Sequence, residues 1–392
     1  MKILFISSDF PIFEGLNCGA SNRSTLFIEA LSKMAFVDVI SFYEKPVVSN
    51  VKNCKVIGCY PLKQIKKPSR KDKILNYVDT IFRPLSPYTY YKCDKYMESI
   101  VDDAIKQGDY DYVSCRYIRC AVMSGLNKYS DKLIIDVDDN LVSASLRDIS
   151  EIRCRLFITK IKLFYQAYTI GFMSKLFLSK VYRSYYSNIN EPTYKKSIYL
   201  PNVTAIDNKI PKITNETPMH ILFVGWLDFH PNKTGIQYFV KNVFPLIKKE
   251  VPNITLRIAG KTNDSGFLSE LNSIDGINAL GFVDDISKEY KNCRVVIVPV
   301  YSGAGTSVKF IEASVMNRPI VTTPDGVRGF EKLFIKGKHY MEASNDNDFA
   351  QEIITLLNSE TKSIRMAKEA YKVGKSNFSK DYIFNIIKES IQ

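Results

Sequence analysis

The residues best equipped for chemistry lie in one run, Gly303-Ala304-Gly305-Thr306-Ser307-Val308-Lys309-Phe310-Ile311-Glu312-Ala313, followed closely by Arg318-Pro319-Ile320-Val321. The apolar stretch before it, Val295-Val296-Ile297-Val298-Pro299-Val300, lacks polar alternation and predicts a strand buried on both faces. Lys309 to Met316 reads as a helix that Pro319 ends. A strand thus leads through a glycine turn into a helix start. Unpaired backbone N–H groups at such a start bind anions such as phosphate. Glu312, one turn inside, is an acceptor for sugar hydroxyls. Phosphate and sugar recognition side by side is the chemistry that a nucleotide sugar requires.

A second set of polar groups, Asp136-Val137-Asp138-Asp139-Asn140, closes the apolar run that begins at Leu133. In open α/β sheets ligands bind beyond the carboxyl ends of the strands. Carboxylates there could hold a divalent ion, deprotonate an acceptor hydroxyl, orient sugar hydroxyls or cap the next helix. Asp138 and Asp139 are the candidates for an acceptor-side group. His220, His230 and His339 form no visible triad with Ser and Asp. A dinucleotide fingerprint is also missing. Gly15 and Gly19 are spaced too widely for G-x-G-x-x-G, and Val308 stands where a third glycine would follow Gly303 and Gly305.

The elements that must position these groups fall into two series. Strands are expected at Lys2–Ser7, Val37–Phe42, Tyr112–Ser114 and Leu133–Val137, with a Gly/Asn/Ser-rich loop at Phe13–Arg23 and a helix at Ser24–Met34. Arg153–Tyr186 reads as helical, aromatic and basic, with Arg153, Arg155, Lys160, Lys162, Lys175, Lys180 and Arg183 against Glu151 alone. A new series has strands at His220–Val224, Thr255–Ala259, Ile277–Leu280, Arg294–Val300 and Pro319–Thr323. The polar, Pro-containing stretch between Leu200 and Pro218 marks the boundary. The expected fold is α/β: two doubly wound, Rossmann-like domains, residues 1–200 and 201–380, facing across a cleft. A helix over 381–392 is expected to return to the first domain.

Hydrophobic content of 45% and charged content of 24% over 392 residues describe an ordinary globular chain rather than a disordered or fibrous one. The net charge of +13 is concentrated in residues 1–200, which hold 30 Lys and Arg against 20 Asp and Glu. That half favours an anionic partner: a phospholipid surface, a pyrophosphate-bearing acceptor or nucleic acid. Nucleic acid is set aside because the charge sits in no recognisable binding motif. Eight cysteines without CxxC spacing argue against a zinc ribbon or a thioredoxin-like site and for a reduced, intracellular chain. Met1–Asp9 has too short an apolar core for a signal peptide, and no run approaches the ~20 apolar residues of a membrane span. A cytoplasmic protein, or one peripheral to the inner face of the cell membrane, is expected.

Five segments of the second half fall in order at appropriate distances: Phe223-Val224-Gly225, Ile258-Ala259-Gly260-Lys261, Gly281-Phe282-Val283-Asp284-Asp285, Gly303 to Glu312, and Pro319-Ile320-Val321-Thr322-Thr323 with Gly326. This series resembles the C-terminal domain of GT-B glycosyltransferases, specifically family 4, and within it bacterial polysaccharide enzymes whose loop reads Gly-Gly-Gly-Thr-Arg-Leu-Lys. The likeness covers about residues 219–335, and more loosely the loop at 15–23 and Pro201-Asn202. It implies that Glu312, matching the second glutamate of the family's E-x7-E motif, holds the nucleotide ribose. Ser307 and Val308 would hold the diphosphate through backbone amides, with Gly305 and Thr306 in the same loop and Thr306 adding a hydroxyl. Phe282 and Val283 would line the base, while Gly225 and Gly19 would let the donor approach the backbone. Arg23, near the first helix, reads either as a surface group or as a contact for acceptor phosphate.

Two positions depart from the family pattern. Ala304 replaces the first glutamate, and Trp226 stands where many relatives place a phosphate-binding arginine. Lys233 and Lys309 are the candidates for the missing positive charge. The resemblance implies transfer of a sugar from a nucleoside diphosphate to an acceptor hydroxyl with retained configuration, without a metal and without a cofactor beyond the donor. Partners would be the nucleotide sugar and a glycan or lipid-linked glycan. An inactive partner subunit and a GT-B-like sugar-nucleotide epimerase stay open. So do two readings of Arg153–Tyr186, as a contact for an anionic bilayer or as helices packed on the first sheet.

Overall fold

Apolar runs without alternation bury both faces, and here they build two parallel sheets. The computed structural model describes residues 1–8, 12–13, 19–43, 47–61, 93–138, 157–189, 196–203, 213–214, 216–302 and 305–391. The chain divides into two compact units, Met1–Pro201 with Ile383–Gln392, and Asn202–Tyr382.

The first unit contains β1 (Lys2–Ser7), β2 (Phe36–Ser41), β3 (Cys54–Cys59), β4 (Tyr112–Arg116), β5 (Leu133–Asp138), β6 (Arg183–Tyr186) and β7 (Ser197–Tyr199). All pairs are parallel, in the order β3-β2-β1-β4-β5-β6-β7. Its helices are α1 (Gly19–Ser32), α2 (Lys95–Gly108), α3 (Ile118–Met123) and α4 (Phe157–Leu178). The α2 helix shows why such segments fold. Asp94 caps the amides of Tyr96 and Met97, and Met97, Val101 and Ile105 form a buried stripe at helical spacing.

The second unit contains β8 (His220–Val224), β9 (Thr255–Ala259), β10 (Ile277–Gly281), β11 (Val295–Val298), β12 (Ile320–Thr322) and β13 (Met341–Glu342). They are parallel in the order β10-β9-β8-β11-β12-β13. Its helices are α5 (His230–Asn242), α6 (Phe244–Glu250), α7 (Ser265–Asn272), α8 (Ile286–Lys291), α9 (Val308–Val315), α10 (Asp346–Asn358) and α11 (Glu360–Asn377). This is the doubly wound order, in which strand succession reverses between β8 and β11. The last helix, α12 (Lys380–Ile391), starts in the second unit and continues in the first. There Arg183 Nε donates to the Ser390 carbonyl at 2.7 Å, and the Tyr185 and Ser390 hydroxyls lie 2.5 Å apart.

The structure corrects the expected elements at several places, among them α1, which starts at Gly19 inside the expected loop Phe13–Arg23, and β13, which was not expected. Arg153–Tyr186 is not helical throughout: α4 ends at Leu178, and Arg183–Tyr186 is the strand β6. Its polar-aromatic sequence carries no apolar run, yet Ser184 and Tyr185 are fully buried by the pairing and by α12. The strands β3 and β7 were not anticipated either. β3 is only partly buried and β7 has only three residues, so neither shows a continuous apolar pattern.

Two glycines bring the strand ends of the second unit together. A Cβ on Gly260 would stand 1.8 Å from the Gly225 carbonyl oxygen, and one on Gly235 2.1 Å from that of Pro299. Backbone cannot swing aside as a side chain does, so α5 lies against the chain leaving β11 only because residue 235 has no side chain. Ala in place of Gly inside a helix ordinarily gains about 1 kcal/mol. Gly235→Ala should instead lose about 1–3 kcal/mol through overpacking, read as a lowered denaturant midpoint. A raised midpoint would show that α5 does not need the close approach.

Candidate functional site

The reversal of strand order places the turns after β8 and β11 side by side. Gly305, at φ +69°, turns the chain, and extended Ser307 (φ −82°, ψ 100°) precedes α9. The first backbone bond of that start runs from the Phe310 N–H to the Ser307 carbonyl at 3.0 Å, which leaves the preceding amides without intrahelical partners. The Ser307 hydroxyl oxygen is buried and has no hydrogen-bond partner among the described residues.

Two charged side chains lie one turn apart on α9, Lys309 in its first turn and Glu312 at the start of its second. Lys309 Nζ donates to Asn232 Oδ1 at 2.9 Å, and Asn232 Nδ2 donates to the Trp226 carbonyl at 2.9 Å. Asn232, itself 8% exposed, thereby ties the turn after β8 to the lysine on α9. Burial pushes the Lys309 ammonium down to about 8, against the pull of Glu312. Burial likewise pushes the Glu312 carboxyl up to about 7, opposed by the Tyr290 hydrogen bond and by Lys309. The Tyr290 hydroxyl donates to Glu312 Oε2 at 3.0 Å, and burial keeps that phenol protonated. Tyr290 is anchored in turn by Arg318, which is fully buried and donates to the carbonyls of Tyr290 at 2.5 Å and Lys291 at 2.9 Å. A chain of hydrogen bonds therefore fixes the carboxylate from behind.

The remaining residues singled out from sequence divide. Thr306 accepts a hydrogen bond from Asn202 Nδ2 at 3.1 Å, so the segment opening the second unit holds the loop. A Cβ on Gly225 would stand 2.8 Å from Asn232 Nδ2, which ties that glycine to the lysine's support. Phe282, 58% exposed, and the half-buried Val283 follow Gly281 at the end of β10. Lys233 is engaged elsewhere: its Nζ pairs with Asp264 at 2.8 Å and lies over the Phe267 ring. Of the two candidate lysines, Lys309 is the one joined to Asn232. Ala304 and Gly303 lie outside the described residues.

In the first unit the acidic strand end is not free. Arg23 donates to both Asp136 oxygens at 2.7 Å, and Arg116 pairs with Asp138 and contacts Asp136 at 3.4 Å. Arg23 also lies 3.7 Å from Asp138. Arg23, Arg116 and Asp136 are all at most 6% exposed. Burial would raise the Asp138 carboxyl, but the two guanidiniums outweigh it and hold it below the ordinary carboxylate range. A carboxylate so held is a weak proton acceptor. Tyr117 and Asp138, at the ends of β4 and β5, both adopt positive φ, +66° and +67°. Asp139 lies outside the described residues, and Gly19 opens α1. No group of three His, Cys, Asp or Glu side chains placed to hold a metal ion occurs among the described residues.

Sequence reading passed over Asn232, Tyr290, Arg318 and Arg116 as partners. Asn232 and Arg318 stood beside quoted motifs, whereas Tyr290 and Arg116 carried no local signal, because their roles arise from strands and helices distant in the chain.

Residues 218–359 match the family described as Glycosyl transferases group 1. An uncharacterized 44.6 kDa protein in the cps region of Klebsiella pneumoniae is 26% identical over 293 residues, 71% of this chain and 73% of that protein. Sucrose-phosphate synthase from Thermosynechococcus elongatus superposes with a TM-score of 0.67 at 14% identity, covering 99% of this chain and 97% of that one. Anabaena HepE in complex with UDP gives 0.64 at 13% identity, covering 100% and 99%. The chain therefore has the GT-B fold, and the second unit carries a glycosyltransferase domain.

The buried arginine–carboxylate cluster generates a stability prediction. Arg116→Ala should cost about 3–5 kcal/mol, since it strands buried carboxylate charge. Denaturant unfolding at neutral pH reads the loss. A change within about 0.5 kcal/mol would mean that water or Arg23 compensates for the missing guanidinium.

Proposed function

We propose that this chain, with a glycosyltransferase domain in its second unit, is a retaining enzyme of glycosyltransferase family 4 acting in bacterial surface polysaccharide or glycolipid assembly. The observation that carries the reading is the start of α9, where free helix amides and Lys309 in the first turn lie one turn before Glu312. The relative encoded in a cps region and a structural neighbour solved with UDP support it. The nucleotide sugar is the donor, no cofactor or metal is required beyond it, and the first unit binds a glycan or lipid-linked glycan. The protein works in the cytoplasm at the inner face of the cell membrane.

In this mechanism the donor diphosphate sits on the amides of Ser307 and Val308, and Lys309 adds a positive charge. The ribose hydroxyls donate to Glu312, which Tyr290 and Arg318 hold in place. Phe282 and Val283 line the base. As the anomeric carbon–oxygen bond to the diphosphate breaks, charge grows on the leaving oxygen, where amides and Lys309 are already oriented. The acceptor oxygen forms its bond on the same face, and its proton passes to the departing diphosphate. That route assigns no free base to Asp138, in keeping with its two arginine partners.

A thermal-shift screen against UDP, GDP, ADP and CMP identifies the base, because ligand binding to the folded state raises the melting temperature. With the best ligand, Glu312→Ala should weaken binding by about 1.5–3 kcal/mol, roughly ten- to a hundredfold. An unchanged Kd would remove Glu312 from the donor site.

Affinity should also depend on pH in a defined direction. Glu312 accepts both ribose hydroxyls only when ionised, so binding weakens as pH falls through about 7. Lys309 is charged only below about 8, so binding weakens again as pH rises through that value. Calorimetry across pH 5.5–9.5 should show tightest binding between these limits. Glu312→Gln should flatten the acid limb and Lys309→Met the alkaline limb. A profile unaltered by both substitutions would assign the titration to other groups.

A further inference from the structure

Among the described side chains of α4, six large apolar residues lie outward. Ile161, Phe164, Tyr165, Tyr168, Phe172 and Leu176 are each between 43% and 65% exposed, whereas Ala167, Ile170 and Leu178 face inward. The exposed positions recur at i, i+3, i+4, i+7, i+11 and i+15. They cover an arc of about 120° and a length of about 22 Å along the helix. Ordinary surface helices do the reverse and hide their large apolar residues. A contiguous aromatic-aliphatic stripe of this kind marks an interaction surface.

We propose that this face of α4 docks in the plane of an anionic phospholipid bilayer, which rests on the membrane location given above and assigns it to a particular surface. Charge selects the occupant. The helix contains Lys160, Lys162 and Lys175 and no Asp or Glu, and Lys180 follows it. Lys175 and Lys180 are exposed. A second copy meeting the same face across a two-fold axis would set lysines against lysines. The buried centres of protein interfaces are depleted in lysine. A bilayer suits both features: Phe and Leu enter the acyl boundary, Tyr sits at headgroup level, and lysines reach lipid phosphates. The helix lies on the membrane rather than across it, since no helix among the described residues is long and apolar enough to span one.

The test is flotation of the full chain with vesicles of phosphatidylethanolamine and phosphatidylglycerol, compared with phosphatidylcholine alone. Recovery should require the anionic lipid and fall with salt. Lys175→Glu with Lys180→Glu should weaken partitioning by more than the roughly fivefold expected for each neutralised lysine. Phe164→Ser with Phe172→Ser should weaken it by about tenfold or more. Both pairs are exposed, so melting temperature and nucleoside-diphosphate binding should match the parent. Tyr168→Trp supplies an independent reading: emission above the Trp226 background should shift to the blue with anionic vesicles. Equal recovery with neutral and anionic vesicles overturns the proposed anionic surface, and recovery with neither overturns the membrane location as well. Anionic binding that survives both substitution pairs overturns the α4 assignment and leaves the location standing. A homo-oligomer dissociated by Phe164→Ser with Phe172→Ser would assign the face to a second copy. Nucleoside-diphosphate binding, measured on the same variants, tests the transferase reading separately.

Discussion

A parallel sheet covered on both faces can place its polar chemistry only where the strands end, and both units of this protein are built under that constraint. β1, β4 and β5 in the first unit, and β8 and β11 in the second, are almost wholly buried along their lengths. Their side chains are committed to packing. The groups that meet a ligand must come from the turns, and turns diverge where strand order reverses. Arg116 and Asp138 close β4 and β5, and Lys309 sits in the first turn of the helix that follows β11. The close backbone approaches at Gly235 and Gly260 belong to the same geometry, because they set how tightly the turns of the second unit converge.

The two units use their strand ends in opposite ways. In the first, Arg23, Arg116, Asp136 and Asp138 pair with one another, and the lowered Asp138 carboxyl reports a charged form stabilised by its neighbours. In the second, burial works against both charges of α9: Glu312 moves up and Lys309 moves down. Neighbours offset only part of that burial, so each group gains from a ligand that restores its interactions. A diphosphate would favour the charged lysine, and ribose hydroxyls the ionised carboxylate. The first cluster holds its unit's strand ends together, while the second is the one proposed to receive the donor's diphosphate and ribose. Asn232 and the Tyr290–Arg318 chain make that preparation rigid by fixing each side chain before a ligand arrives.

An equivalent imbalance exists for apolar surface on α4. Water meets six large side chains of α4, while Ala167, Ile170 and Leu178 are buried. Exposure of that extent costs free energy unless something covers it. The absence of carboxylates along the helix matches the anionic surface proposed to cover it.

Much of this was legible in the sequence. Unbroken apolar runs marked β1, β5, β8 and β11, since a strand buried on both faces needs no alternation. The glycine turn leading into α9 could be read because anion binding at a helix start depends on local chain geometry. Glu312 was singled out by its place one turn inside that helix, and Lys309 only as one of two candidate lysines. What the sequence could not disclose depends on separation along the chain. Arg116 meets Asp138 because β4 and β5 pair, Tyr290 reaches Glu312 because α8 precedes the strand beside α9, and Ser184 and Tyr185 become a strand because β5 and α12 bury them. Lys233 and Lys309 were equal candidates by residue type, and only packing separated them, giving one an exposed aspartate and the other a buried asparagine. Local patterning determines which segments are strands and where an anion can be held, because those properties need only neighbouring residues. Which charges are paired and which are left for a ligand is decided by tertiary structure, because pairing and desolvation depend on groups brought together from distant parts of the chain.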